Sequence, residues 1–183
     1  MTQDDGAAEH AASHHRFLEA TLPHLEAVSR VARHLSQNRQ GAEDLVQETY
    51  LRAYAAFGSH SGASTRAWLL TICTNLARSS WRRQARRVAE EPRAELDDPG
   101  RSSEGVEAAV ERRLDGEIVG AALGELPAEQ RIAIVLMDLG GQSAAEVARQ
   151  LGCPRGTVLA RVHRGRRRLG ELLRERGYDR GLL

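Results

Sequence analysis

QSAAEVARQLGCPRGTVLARVHRGRRRL, residues 142–169, is the stretch on which the reading of the chain turns. Ser143 can cap a helix, and Glu146, three residues on, completes a capping box. Val147, Ala148 and Leu151 then fall on one face. Gly152 stops that helix, and Pro154 fixes a turn. Thr157 leads into a second helix, in which Val158, Val162, Gly165 and Leu169 recur at 4-3-4 spacing and form a buried seam. Leu159, Ala160, Arg161, His163, Arg164 and Arg166 remain outward. From Cys153 to Leu169 there are six arginines and no acid. This is the layout of a helix-turn-helix. Residues at the start of its second helix meet base edges in the major groove, and flanking arginines neutralise phosphates.

Arginine count alone is weak support. All 26 basic residues of the chain are arginine, and Ala and Gly are abundant, which suggests a GC-rich coding sequence. A solvated arginine-rich helix would share that composition. The capped short helix, the Gly-containing turn and the seam are what separate the two readings. A membrane-surface helix fits worse, because the seam is small, is interrupted by Gly165 and carries no Trp or Phe.

The rest of the chain is also helical in pattern. Strand periodicity is absent. Residues 1–13 read as a disordered tail and are too polar for a signal peptide. A first helix is expected over 14–36, with Leu18, Leu22, Leu25, Ala32 and Leu35 on one face and a kink or break near Pro23. A second covers 42–57, where Val46, Thr49, Tyr50, Ala53 and Phe57 are in register. A Gly- and Ser-rich loop follows, and a third helix over 64–87 carries the stripe Trp68, Leu69, Ile72 and Leu76. Residues 89–105 are acidic, rich in Pro, Gly and Ser and nearly free of large apolar side chains, so they read as a flexible linker. Further helices are expected at 106–124, 127–138, 143–151 and 155–175, with Pro127 as the first residue of its helix and Gly177 closing the last. The fold class is therefore all-α: two small helical modules, 14–88 and 106–177, with a short tail at 178–183.

Several function classes drop out. The net charge is +1, so basic surface arises only by segregation. No apolar run is long enough to span a membrane. Cys73 and Cys153 form no disulfide framework and no metal-ligand spacing, and both read as structural. His14 and His15 read as solvated. No catalytic motif, metal site or cofactor site is expected, and the expected compartment is the cytosol.

Two blocks together carry a family resemblance. AEDLVQETYLRAYAAF (42–57) followed by RAWLLTICTNLARSSWRRQAR (66–86) resembles region 2 of bacterial sigma factors. LGELPAEQRIAIVLMDLGGQSAAEVARQLGCPRGTVLARVHRGRRRL (123–169) resembles their region 4. Their order and short separation leave no room for region 1.1 or a folded region 3, a pattern similar to the extracytoplasmic-function group. The resemblance implies core RNA polymerase and promoter DNA as partners, with docking on the β′ clamp helices and the β flap. It places Asp44, Gln47, Glu48 and Arg52 against the clamp. It places the loop 58–65 with Arg66, Asn75, Arg78, Arg82 and Arg83 at the −10 element, where captured bases need a basic track and a pocket. It places Leu159, Ala160, His163 and Arg164 at −35 bases, and Arg155, Thr157, Arg161 and Arg166 near phosphates. Relatives often carry Arg or Lys then Ser where this chain has Leu159 and Ala160. Apolar groups there can meet thymine methyls and cannot fork to guanine. Trp68 reads as core; Trp81 packs at the helix end or lies against DNA. The acidic linker is either a plain tether or a strand mimic in the polymerase cleft. Members of the group are commonly held by anti-sigma partners, and the resemblance extends to a partner of that kind.

The competing readings are a stand-alone helix-turn-helix regulator, with 14–88 sensing or dimerising, and a helical partner-binding protein with no DNA role. The first requires a palindromic duplex site without polymerase. The second requires salt-insensitive binding.

Overall fold

A computed structural model describes residues 4–61, 64–90 and 107–178. Eight α-helices account for nearly all of them: α1 (Asp4–Thr21), α2 (Leu25–Leu35), α3 (Arg39–Ala56), α4 (Thr65–Glu90), α5 (Glu107–Gly124), α6 (Ala128–Ile134), α7 (Ala144–Leu151) and α8 (Arg155–Glu175). There is no strand among the described residues.

Local sequence sets most of the boundaries. Pro23 lies in a short 3-10 turn, Leu22–His24, that divides the expected first helix into α1 and α2. Proline removes a backbone donor and crowds the preceding turn, so the helix restarts after it. Asn38 caps α3, its side chain accepting from the Gly41 amide at 2.8 Å. This starts α3 three residues before the boundary expected from apolar periodicity, because capping chemistry outruns the apolar stripe. Ser64 holds the start of α4, its hydroxyl accepting from Ala67 N at 3.2 Å.

Three expectations need correction. Helix α1 begins at Asp4, within the stretch 1–13 read as a tail. Alanine-rich sequence such as AAEHAAS has high intrinsic helix propensity and continues the helix outward. Helix α4 runs to Glu90, two residues into the expected linker; residues 91–106 lie outside the described residues, as do 179–183. Pro127 is the cap of α6, with extended backbone (φ −51°, ψ 136°), and stands one position before the helix it was expected to begin. Its carbonyl accepts from Gln130 N and Arg131 N, which starts the first turn.

Helices α2, α3 and α4 pack together around Val28, Val31, Ala32, Leu35, Ala53, Leu69, Leu70 and Cys73, all at most 1% exposed. Phe17 of α1 closes this bundle through edge-on contacts with Tyr50, Tyr54 and Phe57. Buried Thr21, Thr49 and Thr74 satisfy their hydroxyls on carbonyls four residues back. Helices α6, α7 and α8 form the second bundle around Ile132, Leu136, Val147, Val158 and Leu172, closed by Leu123 of α5. The expected seam of α8 is present: Val158, Val162 and Gly165 are buried and Leu169 half-buried.

The two bundles share one core. Helix α2 packs on α3 and α4, and also on α5 and the Val135–Leu139 turn of the second bundle. The linker composition predicts two separate modules, and no local pattern in either one marks this contact.

Gly165 sets the approach of α8 to α6. A Cβ there would stand 2.6 Å from Ile134 Cδ1 and 3.2 Å from Gln130 Cβ. Gly165→Val is expected to lower the unfolding free energy by about 1–3 kcal/mol through overpacking, despite the higher helix propensity of valine. Urea denaturation measures this, and an unchanged midpoint would show that the helix pair tolerates the added volume.

Candidate nucleic-acid interface

The helix-turn-helix forms as the sequence dictates. Ser143 Oγ accepts from Glu146 N at 3.3 Å, and Ser143 N donates to Glu146 Oε2 at 2.8 Å, so both halves of the capping box are made. Those Ser143 hydrogen bonds hold the Glu146 carboxyl below its usual range, the backbone N–H contributing most. Gly152 ends α7 in the left-handed region (φ 63°, ψ 38°), where glycine is favoured. Pro154 caps α8 with extended backbone. A π-helical turn, Val135–Leu139, ends α6, and Gly140 N donates to Val135 O at 2.8 Å across it. That turn sets Asp138 beside α8.

Helix α8 then presents a polar outer face. Arg155, Leu159, His163 and Arg164 are exposed, with Leu159 at 44%. Thr157 and Ala160 are half-buried. Arg155 and Arg164 have no carboxylate partner among the described residues. Arg166 is exposed but engaged, its guanidinium forking onto both oxygens of Asp138, which raises its already high pKa. Arg161 departs from the outward placement expected. It lies three residues after Val158 and four before Gly165, at the edge of the seam, and its side chain is only 22% exposed. It contacts Glu129 Oε2 at 3.0 Å and Cys153 Sγ at 3.6 Å.

A second basic face lies on α4. Asn75, Arg82, Arg83 and Arg86 are exposed, and Ser79, Arg82, Arg83 and Arg86 line a shallow groove along the helix. Arg78 is half-buried and pairs with Glu129 Oε1 at 3.3 Å. Arg66 is also half-buried; its Nε has no hydrogen-bond partner, and its Nη2 is 3.1 Å from where a Cβ on Gly141 would lie. The loop before α4 holds His60 stacked on Trp68, centroids 4.2 Å apart and planes within 13°. Trp68 is half-buried, packed against the core as expected and stacked with the His60 ring. Trp81 packs at the junction between the bundles: its Nε1 donates to Leu35 O at 3.1 Å, and the Arg131 guanidinium lies 4.8 Å over its ring.

The outer face of α3 is polar with one apolar exception. Asp44, Gln47 and Arg52 are exposed and Glu48 is half-buried. Arg52 Nε donates to Glu48 Oε1 at 2.7 Å, and Gln40 Nε2 to Asp44 at 2.9 Å. Leu51, 59% exposed, shares this face. Sequence reading passed over it, although a lone leucine at i+3 from Glu48 and i+7 from Asp44 was the available signal. Glu129 and Asp138 were also missed, since nothing local marks an acid that serves a distant arginine.

Of the two cysteines, Cys73 is buried, and burial pushes its thiol up to about 12; Cys153 is half-buried beside Arg161. No group of three or more metal-ligating side chains occurs among the described residues. No described helix is long and apolar enough to cross a membrane.

Residues 22–87 match the family Sigma-70 region 2, and residues 116–169 match Sigma-70, region 4. The ECF RNA polymerase sigma factor SigE of Mycolicibacterium smegmatis is 36% identical over 155 residues, covering 85% of this chain and 60% of that protein. The chain thus spans under two thirds of that relative. The ECF RNA polymerase sigma factor EcfG of Rhodopseudomonas palustris is 40% identical over 159 residues, covering 84% of this chain and 81% of EcfG. Among solved structures, the sigma factor RpoE in complex with the anti-sigma factor NepR, from Bartonella quintana, superposes with a TM-score of 0.75 at 34% identity, over 87% of this chain and 97% of that one. CnrH in complex with the cytosolic domain of CnrY gives 0.66 at 28% identity, over 92% and 95%.

Proposed function

The chain belongs to the extracytoplasmic-function family of RNA polymerase sigma factors, and we propose that it directs core polymerase to promoters by binding the −10 and −35 elements and helping to melt DNA. The observation that carries this reading is the pairing of two separate basic helix faces in one chain. Exposed Arg155, His163 and Arg164 lie on a helix-turn-helix, and exposed Arg82 and Arg83 lie on α4 beside a short loop. A stand-alone duplex reader needs only the first. The second suits a displaced single strand, where a basic track and stacking rings serve capture.

Residue roles follow. On α8, Leu159, Ala160, His163 and Arg164 face −35 bases, and Arg155, Thr157, Arg161 and Arg166 lie toward phosphates. On α4, Arg66, Asn75, Arg78, Arg82 and Arg83 serve the −10 element, with the His60–Trp68 stack beside the capture loop. On α3, Asp44, Gln47, Glu48 and Arg52 dock on the β′ clamp helices, and Leu51 supplies the apolar anchor that such an interface needs at its centre. The second bundle meets the β flap. The two units correspond to the expected 14–88 and 106–177, the first extended outward to Asp4 by α1 and to Glu90 by α4. The chain acts as a non-enzymatic subunit in the cytoplasm. The complex of a similar sigma factor with the anti-sigma factor NepR supports an anti-sigma partner here too.

Adding the purified chain to core polymerase with a promoter library, and sequencing the transcripts, tests the reading. New start sites preceded by a shared pair of elements are expected. Start sites no different from those of core alone would refute it.

A further inference from the structure

Glu129 stands in the first turn of α6 and reaches both DNA-facing helices at once. Its Oε2 is 3.0 Å from Arg161 Nη1 on α8, and its Oε1 is 3.3 Å from Arg78 Nη2 on α4. The arginine side chains are 22% and 31% exposed and Glu129 is 41% exposed, so solvent screens the triad in part and each pair contributes modestly. Beside the packing of α2 on α5 and on the Val135–Leu139 turn, polar side chains also join the same two bundles. Arg131 lies over Trp81, and Gln150 Nε2 donates to Leu70 O at 3.3 Å.

Arg161 belongs to the −35 face on α8 and Arg78 to the −10 face on α4. Positions −35 and −10 are separated by about 85 Å of duplex at roughly 3.4 Å per base pair. Guanidiniums that share one carboxylate cannot serve both. The arrangement described is therefore one that promoter binding must open.

We propose that Glu129 is an intramolecular latch, standing where DNA phosphates would bind Arg78 and Arg161 and holding the free chain closed. The inference rests on the promoter-binding reading of these helices. A carboxylate offers guanidinium the same pair of anionic oxygens as a phosphate. Its place at the start of α6 suits an acid, because the helix N-terminus is the positive end. Closure lowers the apparent DNA affinity by the fraction of chains that are open. Exposed Arg82, Arg83, Arg155 and Arg164 stay available for first encounter, so the latch delays joint engagement and leaves initial attraction intact.

The test uses the full chain and Glu129→Gln, which keeps the shape of the side chain and removes its charge. Small-angle X-ray scattering reads opening. Binding to a −10 single-stranded oligonucleotide and to a duplex bearing the selected −35 element reads masking. The variant is expected to have a larger radius of gyration and about three- to tenfold tighter binding to both probes. Raising the salt should enlarge the wild-type chain toward the variant and change the variant little, a control that depends on no substitution. An unchanged radius in both arms would overturn the latch. A larger radius with unchanged affinities would overturn masking. If neither protein binds either probe, even with core polymerase, the DNA-contact reading itself fails, and the inference with it.

Discussion

Leu51→Glu is expected to weaken binding to core polymerase by about ten- to hundredfold while leaving the fold intact. The side chain is 59% exposed on α3, so replacing it removes little from the core, and surface changes of that kind shift stability by about half a kcal/mol at most. Its surroundings make the change costly for docking. Asp44 and Glu48 already put two carboxylates on this face, and only Glu48 has an arginine partner, Arg52. A third acid adds like charge and removes the one large apolar group that could be desolvated against a partner helix. Leu51→Met keeps the apolar volume and should retain most of the affinity. Equilibrium binding of labelled chain to core polymerase measures both variants, and unfolding curves confirm that neither acts through stability. Equal affinity of Leu51→Glu and wild type would remove Leu51 from the interface and cast doubt on the whole α3 face.

The helices were legible because each carries its own punctuation. Pro23, Ser143, Glu146, Gly152, Pro154 and Gly177 act within a turn or two of where they stand, and each marks the local boundary expected of it. The seam of α8 was legible for the same reason, as Val158 and Val162 need only helical periodicity to be placed inward. Arg161 shows where that logic stops. The seam spacing alone put Arg161 outward, whereas it lies at the seam edge against Glu129, an acid 32 residues earlier on another helix that no local pattern reveals. The contact between the bundles was illegible for a related reason. Val28, Val31 and Leu35 declare only that α2 has a buried face; whether one bundle or two cover it depends on geometry that no local pattern records. Leu51 was hidden by the opposite effect: its spacing from Asp44 and Glu48 puts it on their face, but a single leucine there makes no apolar stripe. The π-turn at Val135–Leu139, which brings Asp138 to Arg166, has no recognisable sequence mark either.

The departure at Leu159 and Ala160 yields the sharpest consequence for specificity. Leu159 is 44% exposed, one helical turn after Arg155 and one before His163, on the outward face of α8. An apolar side chain so placed against a major groove gains from a thymine methyl and forms no hydrogen bond to guanine. Leu159→Arg adds a planar fork with five donors at that point. The −35 sequences selected by the variant should therefore exchange thymine for guanine at one position, with discrimination of about 1–3 kcal/mol, roughly five- to 150-fold. Arg164→Ala should behave differently. This guanidinium has no carboxylate partner among the described residues, so its loss frees no buried acid and leaves the fold alone. Transcription from selected promoters should fall about tenfold or more, core binding should be unchanged, and sequence preference should relax near that residue. Selection of −35 elements from a randomised library separates the two outcomes. A Leu159→Arg chain that selects the wild-type element would show that this stretch of α8 stands off the bases. An Arg164→Ala chain that loses core binding would place Arg164 on the polymerase rather than on DNA.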